Sequence, residues 1–158
     1  PYGARTATSP CSLQHPSGAS QEKKDIFEIW RAHKPPYIAT VAPRYPLDLE
    51  EKFARAAAFT GPKMFLALAA CPTGWLYDPG ETPEVARLAV ETGLWALKEA
   101  INGVVTHTYV PKRKPVEAYL KLQGRFRHLF EPAVQADAIQ HIQTRVDAYW
   151  ERATREGS

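Results

Sequence analysis

The sequence has few of the residues that build metal sites and disulfide-stabilised folds. It contains two cysteines, Cys11 and Cys71, which lie far apart, and five histidines without paired spacing. No Cys-x₂-Cys pair occurs, so the chain alone cannot complete a four-thiolate iron–sulfur cluster or a zinc site. It donates at most one ligand to such a group. Two distant cysteines also exclude a disulfide framework and are typical of a reducing cytoplasm.

Long hydrophobic runs and familiar catalytic motifs are missing as well. The longest wholly apolar run, 64–71, is far too short to span a bilayer, and no signal peptide is visible. The net charge of +3 does not call for a nucleic acid or a membrane as partner. The chain has no Gly-rich phosphate loop, GxSxG elbow or HExxH pair. We therefore expect a globular cytoplasmic protein and assign no catalytic residue in this chain.

The first residues leave two interpretations open. The chain begins with Pro1, and residues 1–20 are rich in turn-forming residues that lead into a helix rather than a first strand. One interpretation is a trimmed or natural tail. The other is that the sequence begins inside a larger fold.

The pattern over residues 21–71 predicts helix, strand, helix and strand in turn. The first helix, 21–33, has an apolar face of Ile26, Phe27, Ile29 and Trp30. Asp48 and Glu51 form a capping-box-like start of a second helix, in which Leu49, Phe53, Ala56 and Ala57 follow at helical spacing and Gly61 is the terminator. The two strands are 37–41 and 64–70, and the second is apolar throughout, as in a sheet covered on both faces. This order is the signature of a covered parallel sheet.

The later residues predict a helix, a hairpin and a helical arm. Thr82-Pro83 opens a helix that buries Val85, Leu88 and Ala89, and Gly93 ends it. Asn102-Gly103 indicates a tight turn between strands at 94–101 and 104–110. Helices over 115–123 and 132–151 follow. We divide the chain at residue 110, with an α/β portion and hairpin at 1–110 and, at 111–158, a helical arm that packs on something else.

Cys71 is the residue whose position suggests chemistry. It ends the second predicted strand and opens the loop Cys71-Pro-Thr-Gly-Trp75, and open α/β sheets place sites at such carboxyl ends. One interpretation is a buried small hydrophobic residue, which free cysteine often is. The other is a ligand to a metal or cluster. Cys11 is interpreted as having no chemical role.

A basic stretch follows the hairpin. It comprises Lys112, Arg113, Lys114, Lys121, Arg125 and Arg127. Tyr109, Tyr119 and Phe126 interleave with it, which is a weak form of a nucleic-acid signal. A solvated or subunit-facing surface is the favoured interpretation, and docking of an acidic protein nearby is another.

Several uncommon strings resemble the β subunit of pyruvate:ferredoxin oxidoreductases. They are the string from Cys71 to Trp75, the stretch Pro83-Glu-Val-Ala-Arg-Leu-Ala-Val-Glu-Thr-Gly-Leu-Trp95, and Lys114-Pro-Val-Glu-Ala-Tyr-Leu-Lys-Leu-Gln-Gly-Arg-Phe126. Pro1-Tyr-Gly-Ala, Thr8-Ser-Pro10 and the strand region 35–43 agree with the same family. The resemblance covers essentially the whole chain. It implies the C-terminal half of the thiamine-diphosphate-binding subunit, followed by the hairpin and the helical arm.

The resemblance also implies a role for the loop at Cys71. The fourth ligand of the family's proximal [4Fe–4S] cluster comes from such a loop, and Cys71 stands at that place. The amides of Thr73 and Gly74 are then expected to donate hydrogen bonds to cluster sulfurs. Thiamine diphosphate and Mg²⁺ would be held mostly by residues outside this chain. Cys11 is not part of the family pattern.

The implied activity is the reversible oxidative decarboxylation of pyruvate to acetyl-CoA and CO₂, with electrons passing through the cluster to ferredoxin. Pyruvate, coenzyme A, ferredoxin and the other subunits are the implied partners. Relatives act on 2-oxoglutarate and on branched-chain, oxalate or aryl substrates, so another 2-oxoacid is the first alternative. A non-catalytic α/β assembly or binding module and a basic RNA-binding domain are alternatives of other classes.

Overall fold

The computed structural model describes residues 24–156, which form two compact units. The sheet unit consists of Lys24–Ala69 and Trp95–Lys112, and the helical unit consists of residues 70–94 and 113–156. None of the helices in residues 24–156 combines the length and the apolar composition that crossing a bilayer requires.

The sheet unit contains a four-stranded mixed sheet in the order β2-β1-β3-β4. β1 (Tyr37–Val41) pairs in parallel with β2 (Lys63–Ala67), as the sequence predicts. β3 (Leu97–Ile101) pairs antiparallel with β1, and β4 (Val104–Tyr109) pairs antiparallel with β3. The α/β class and the hairpin are therefore confirmed. The hairpin does not follow the sheet as a separate element, because its strands complete the same sheet.

The hairpin forms where the sequence places it. Asn102 and Gly103 both have positive φ values, 49° and 87°, which two-residue turns of type I′ require. Asparagine and glycine are the residues that tolerate this conformation best. The turn is anchored to the sheet, since the Asn102 amide donates to the Pro36 carbonyl at 3.1 Å.

Two helices cover the two faces of the sheet. α1 (Ile26–Ala32) packs Phe27 on one face against Ile38 and Ala100. α2 (Pro46–Ala57) packs Ala56 on the other face beside Tyr37 and Ala39. Alternate residues of β1 therefore enter different clusters, as the period of two in a strand dictates.

The predicted apolar faces of both helices are partly wrong. In α1 only Phe27 is buried, whereas Ile26, Ile29 and Trp30 are at least 36% exposed. In α2 Phe53 is 50% exposed, and the buried residues are Lys52 and Ala56. The N-cap of α2 is Tyr45, so Asp48 and Glu51 form no capping box. Gly61 has a φ of 110° but lies beyond the C-cap, which is Ala58.

β2 lies at the edge of the sheet that residues 24–156 form, and its partial exposure corrects the expectation that it is buried on both faces. Its central residues are half-buried and its end residues, Lys63 and Ala67, are exposed. Phe65 stacks on the exposed ring of Phe53 at 4.1 Å between ring centroids. An apolar sequence therefore marks β2 as a strand, but not its position in the sheet.

The helical unit contains four α-helices and two 3₁₀ helices. The α-helices are α3 (Pro72–Trp75), α4 (Thr82–Glu91), α5 (Val116–Lys121) and α6 (Ala136–Glu156), and the 3₁₀ helices are Pro79–Glu81 and Gly124–Leu129. α4 and α6 both contact α5, and α6 also contacts the second 3₁₀ helix. The arm predicted after the hairpin thus packs, from residue 113, on residues 70–94 of the same chain.

The core of the helical unit matches the predicted helical spacing. The residues predicted to be buried in α4 (Val85, Leu88 and Ala89) and in α5 (Val116, Tyr119 and Leu120) are at most 7% exposed. In α6 Ile142, Val146 and Trp150 are buried, whereas Ile139 and Tyr149 are half-buried. The N-cap of α4 is Glu81, one residue before the predicted Thr82.

Candidate functional site

Cys71 is an exposed free thiol at the start of a short helical turn, Cys71–Leu76, which we call the cysteine turn. The residue is the N-cap of α3, with φ −104° and ψ 107°. The amide of Gly74 donates a hydrogen bond to Cys71 Sγ at 3.3 Å. Because the thiol is exposed, the interpretation of Cys71 as a buried hydrophobic residue is wrong.

The cysteine turn is closed by backbone hydrogen bonds. The Trp75 amide donates to the Cys71 carbonyl at 2.9 Å, and the Leu76 amide donates to the Pro72 carbonyl at 2.8 Å. Leu76 ends the turn in the left-handed region, with φ 60° and ψ 65°. Of the two amides predicted to approach the sulfur, Gly74 reaches Sγ. Thr73 is exposed, and no described hydrogen bond joins its amide to Sγ.

Gly124, at the start of the second 3₁₀ helix, lies against the end of the cysteine turn. Its amide donates to the Leu76 carbonyl at 2.7 Å. A Cβ at this position would lie 2.8 Å from Leu76 Cβ and 2.9 Å from the Leu76 carbonyl oxygen. Only glycine allows this approach, so the close contact explains the residue type.

Arg125 follows immediately and lies over the aromatic ring of the same turn. Its guanidinium carbon is 3.8 Å from the centroid of the Trp75 ring and 4.8 Å from that of Phe126. The residue is only 2% exposed. A guanidinium stacked on an indole is the stronger form of cation–π contact, and loss of water strengthens it further.

The polar atoms of Arg125 are held by uncharged groups. Nε donates to Gln123 Oε1 at 2.7 Å, and Nη2 donates to the hydroxyl of Tyr119 at 3.1 Å. Nη1 is buried without a hydrogen-bond partner among the described residues, and so is the hydroxyl of Tyr77. Burial lowers the pKa of Arg125 below its ordinary value and raises the pKa of Tyr119. No carboxylate is bonded to Arg125 within residues 24–156.

Most other cations of the predicted basic stretch are paired with carboxylates. The ion pairs are Arg113–Asp147, Lys114–Glu91, Lys121–Glu117 and Arg127–Glu131, at 3.5, 2.7, 2.8 and 3.8 Å. With Arg125 buried, little of the stretch is left as a free basic surface. The arrangement does not favour the RNA-binding alternative, which needs unneutralised cations for phosphate contacts.

The ligand chemistry of the cysteine turn fits one position of an iron–sulfur cluster. Its thiol is exposed and accepts an N–H···S hydrogen bond, the kind of contact that tunes cluster sulfurs. No group of three or more His, Cys, Asp or Glu side chains in residues 24–156 could hold a metal ion. The described residues therefore contain no such cluster that would hold Mg²⁺ by itself. Cys11, interpreted as having no chemical role, lies outside the described residues.

Sequence reasoning missed Arg125 as a partner of the cysteine turn. It placed the residue in a surface stretch, because its neighbours in sequence are basic. No local pattern separates Arg125 from its basic neighbours, because its partner Trp75 lies far away in the sequence.

The chain is similar to subunits of pyruvate synthases and of a ketoisovalerate oxidoreductase. It is 44% identical over 148 residues to pyruvate synthase subunit PorB of Methanocaldococcus jannaschii, covering 93% of this chain and 48% of that protein. It is 47% identical over 132 residues to PorB of Methanothermobacter marburgensis, covering 83% and 46%. Ketoisovalerate oxidoreductase subunit VorB of Pyrococcus abyssi is 38% identical over 155 residues, covering 96% and 48%. No protein-family model matches the chain.

These matches extend over nearly all of the chain, including the cysteine turn and the second 3₁₀ helix. The chain spans about half the length of the curated relatives that it matches. It belongs to the family that contains the pyruvate synthase subunit PorB and the ketoisovalerate oxidoreductase subunit VorB.

Proposed function

We propose that the chain is part of a subunit of a 2-oxoacid:ferredoxin oxidoreductase of the pyruvate synthase type. The observation that carries the proposal is the identity of 44–47% to PorB subunits along most of the chain. In this function the enzyme oxidises pyruvate to acetyl-CoA and CO₂ and reduces ferredoxin. The other subunits, ferredoxin, pyruvate and coenzyme A are its partners.

In this assembly Cys71 supplies one thiolate ligand to a [4Fe–4S] cluster. Three features support the assignment: the thiol is exposed, the cysteine turn fixes its backbone, and the Gly74 amide donates to Sγ at 3.3 Å. The amide of Thr73, which is exposed, is proposed as a second donor to a cluster sulfur. At least two of the other three thiolates must come from residues outside this chain, because a cluster needs four and the sequence contains only Cys71 and Cys11.

The cluster would supply one-electron transfer between the oxoacid-derived electrons and ferredoxin. The residues of this chain contribute the position of one ligand and the hydrogen bond to its sulfur, which together influence the reduction potential. Thiamine diphosphate and Mg²⁺ belong to the proposed enzyme, and residues outside this chain are proposed to hold most of both.

Iron analysis of the assembled enzyme tests the role of Cys71. The complete subunit is produced with its partner subunits, and Cys71→Ala is compared with Cys11→Ser, which changes the other cysteine of this chain. We expect Cys71→Ala to lose the iron and the electron paramagnetic resonance (EPR) signal of one cluster, with Cys11→Ser unchanged. Equal iron content and an equal signal in Cys71→Ala would refute the ligand assignment.

The substrate is proposed to be pyruvate, with a branched-chain 2-oxoacid as second candidate. PorB relatives favour pyruvate, and the 38% identity to a VorB subunit keeps ketoisovalerate in consideration. Reduction of a low-potential acceptor by the assembled enzyme is measured with each oxoacid and coenzyme A. A higher kcat/KM for pyruvate is expected. A preference for ketoisovalerate would support the second candidate, and inactivity with both would overturn the proposed function.

A further inference from the structure

Two adjacent residues of the second 3₁₀ helix, Gly124 and Arg125, contact the cysteine turn. Gly124 donates its amide to the Leu76 carbonyl at 2.7 Å, at the end of the turn. Arg125 lies over the Trp75 ring at 3.8 Å, one residue earlier. These contacts join segments that are distant in sequence, so they fix the turn against the rest of the helical unit.

The arginine is built into the unit rather than resting on its surface. Arg125 is only 2% exposed, and its Nε and Nη2 donate hydrogen bonds to Gln123 and Tyr119. Gln123 is itself only 1% exposed, and its Nε2 donates to the Tyr119 carbonyl at 2.8 Å. Two of the guanidinium nitrogens are therefore held by hydrogen bonds that do not involve the indole.

Burying an arginine is costly unless the site gains something from the charge. Here the charge meets no carboxylate among the described residues, and Nη1 has no hydrogen-bond partner among them. The cation instead faces the ring of Trp75, whose amide donates to the Cys71 carbonyl at 2.9 Å. Among its described contacts, Gln123, Tyr119 and Phe126 lie close to Arg125 in sequence, whereas Trp75 of the cysteine turn belongs to a distant segment.

We propose that Arg125 is a positioning residue that, by stacking on Trp75, holds the cysteine turn in the conformation that presents Cys71 Sγ. The inference rests on the proposed function in so far as Sγ is a cluster ligand. Loss of the stack lets the turn move, which weakens the Gly74–Sγ hydrogen bond and changes the surroundings of the sulfur. Arg125 touches neither substrate nor cluster in this role.

The stack is tested in the complete subunit, assembled with its partners. Arg125→Met removes the guanidinium but keeps an unbranched apolar chain. Arg127→Met is the matched control, because Arg127 lies in the same 3₁₀ helix but is exposed and pairs with Glu131. We expect Arg125→Met to alter the EPR line shape of the cluster bound by Cys71 and Arg127→Met to leave it unchanged. An unaltered line shape in Arg125→Met overturns the proposal.

Variants of the ring separate positioning from general stability. Trp75→Phe keeps an aromatic face under the cation, and Trp75→Leu removes it. We expect Trp75→Leu to reproduce the line shape of Arg125→Met, Trp75→Phe to stay near wild type, and the double variant Arg125→Met/Trp75→Leu to match either single variant. If Arg125→Met fails to assemble, the two Trp75 variants decide, and identical spectra for them overturn the proposal.

A second readout does not depend on the cluster. In the iron-free subunit the alkylation rate of the Cys71 peptide is followed by mass spectrometry. Arg125→Met is expected to give a severalfold change in this rate relative to wild type and Arg127→Met. If Cys71→Ala keeps its iron but the rates differ, the assignment of Cys71 as a cluster ligand fails and the positioning role stands. If Cys71→Ala loses iron and the rates are equal, the positioning role fails alone.

Discussion

The indole of Trp150 donates a hydrogen bond from Nε1 to the carbonyl oxygen of Gly93 at 3.0 Å. Gly93 follows the C-cap of α4 with φ 80°, so it provides the left-handed residue that ends this helix. Trp150 lies in α6 and is only 4% exposed. The end of one helix therefore serves as the docking point of another, and both belong to the helical unit.

Gly93→Ala is expected to destabilise the chain strongly. A Cβ at this position would lie 2.4 Å from Trp150 Nε1 and 3.1 Å from Val146 Cγ1, and its φ is already unfavourable for alanine. Strain and overpacking together predict a loss of about 2–4 kcal/mol in the free energy of unfolding. Urea denaturation measures the loss.

Gly103→Ala is the matched control, because it measures the cost of the left-handed backbone without a steric clash. Gly103 has a φ of 87°, but a Cβ there would meet nothing within 4 Å. The expected loss is about 1–2 kcal/mol, from the left-handed conformation alone. Equal losses for the two variants would show that Trp150 does not restrict Gly93.

Local signals predicted the elements whose ends carry glycine, proline or asparagine. β1, the Asn102-Gly103 turn and the helix from Thr82 to Glu91 all lie within a residue or two of their predicted bounds. These features depend on the backbone preferences of a few adjacent residues, which a sequence displays directly.

Features that depend on distant contacts were not predictable. α1 has seven residues, of which only Phe27 is buried, so Ile26, Ile29 and Trp30 remain exposed although their spacing suits a buried face. The position of β2 at the sheet edge depends on the hairpin joining the other side of β1. In the site, the resemblance singled out Cys71 as a ligand, which stays a prediction, whereas the stack of Arg125 on Trp75 joins distant segments.

The buried hydroxyl of Tyr37 predicts a loss of stability at high pH. It donates to Glu99 Oε2 at 2.5 Å, and Arg55 Nε donates to the same oxygen at 3.1 Å. Burial, followed by the hydrogen bond and the charge of Glu99, raises the pKa of Tyr37 well above 10.0. Above pH 10 the unfolded chain loses this proton and the folded chain keeps it, so the free energy of unfolding falls by about 1.4 kcal/mol per pH unit.

Tyr37→Phe isolates this contribution. The contribution of the Tyr37 hydroxyl to the free energy of unfolding is fully present below pH 10. It is lost as the pH rises towards the pKa of Tyr37 in the folded chain. The free energy of unfolding of Tyr37→Phe should therefore fall less steeply than that of wild type above pH 10. Parallel curves from pH 8 to pH 11 would contradict the raised pKa.

Lys52 is a fully buried cation that depends on Asp48. Its Nζ donates to Asp48 Oδ2 at 2.7 Å and to the Thr40 carbonyl at 2.9 Å. Burial lowers the pKa of Lys52, although Asp48 acts in the opposite direction. Asp48→Asn keeps an acceptor but removes the compensating charge, and we expect a loss of about 1–3 kcal/mol. Glu50→Gln, an exposed carboxylate on the same helix, should change the free energy of unfolding by less than about 0.5 kcal/mol.

The close approach of Gly124 to Leu76 gives a backbone test of the cysteine turn. Gly124→Ala would bring a Cβ to 2.8 Å from Leu76 Cβ, so either the 3₁₀ helix or the turn must move. Leu76 already has a φ of 60°, which leaves the turn little freedom to adjust without breaking its hydrogen bonds. We expect a loss of about 1–3 kcal/mol in the free energy of unfolding, together with faster alkylation of Cys71.

Gly74→Ala is the comparison, because its Cβ would meet Cys71 Sγ at 3.4 Å, an ordinary contact, and its amide remains a donor. Equal alkylation rates for Gly124→Ala and wild type would mean that the thiol is held by α3 alone.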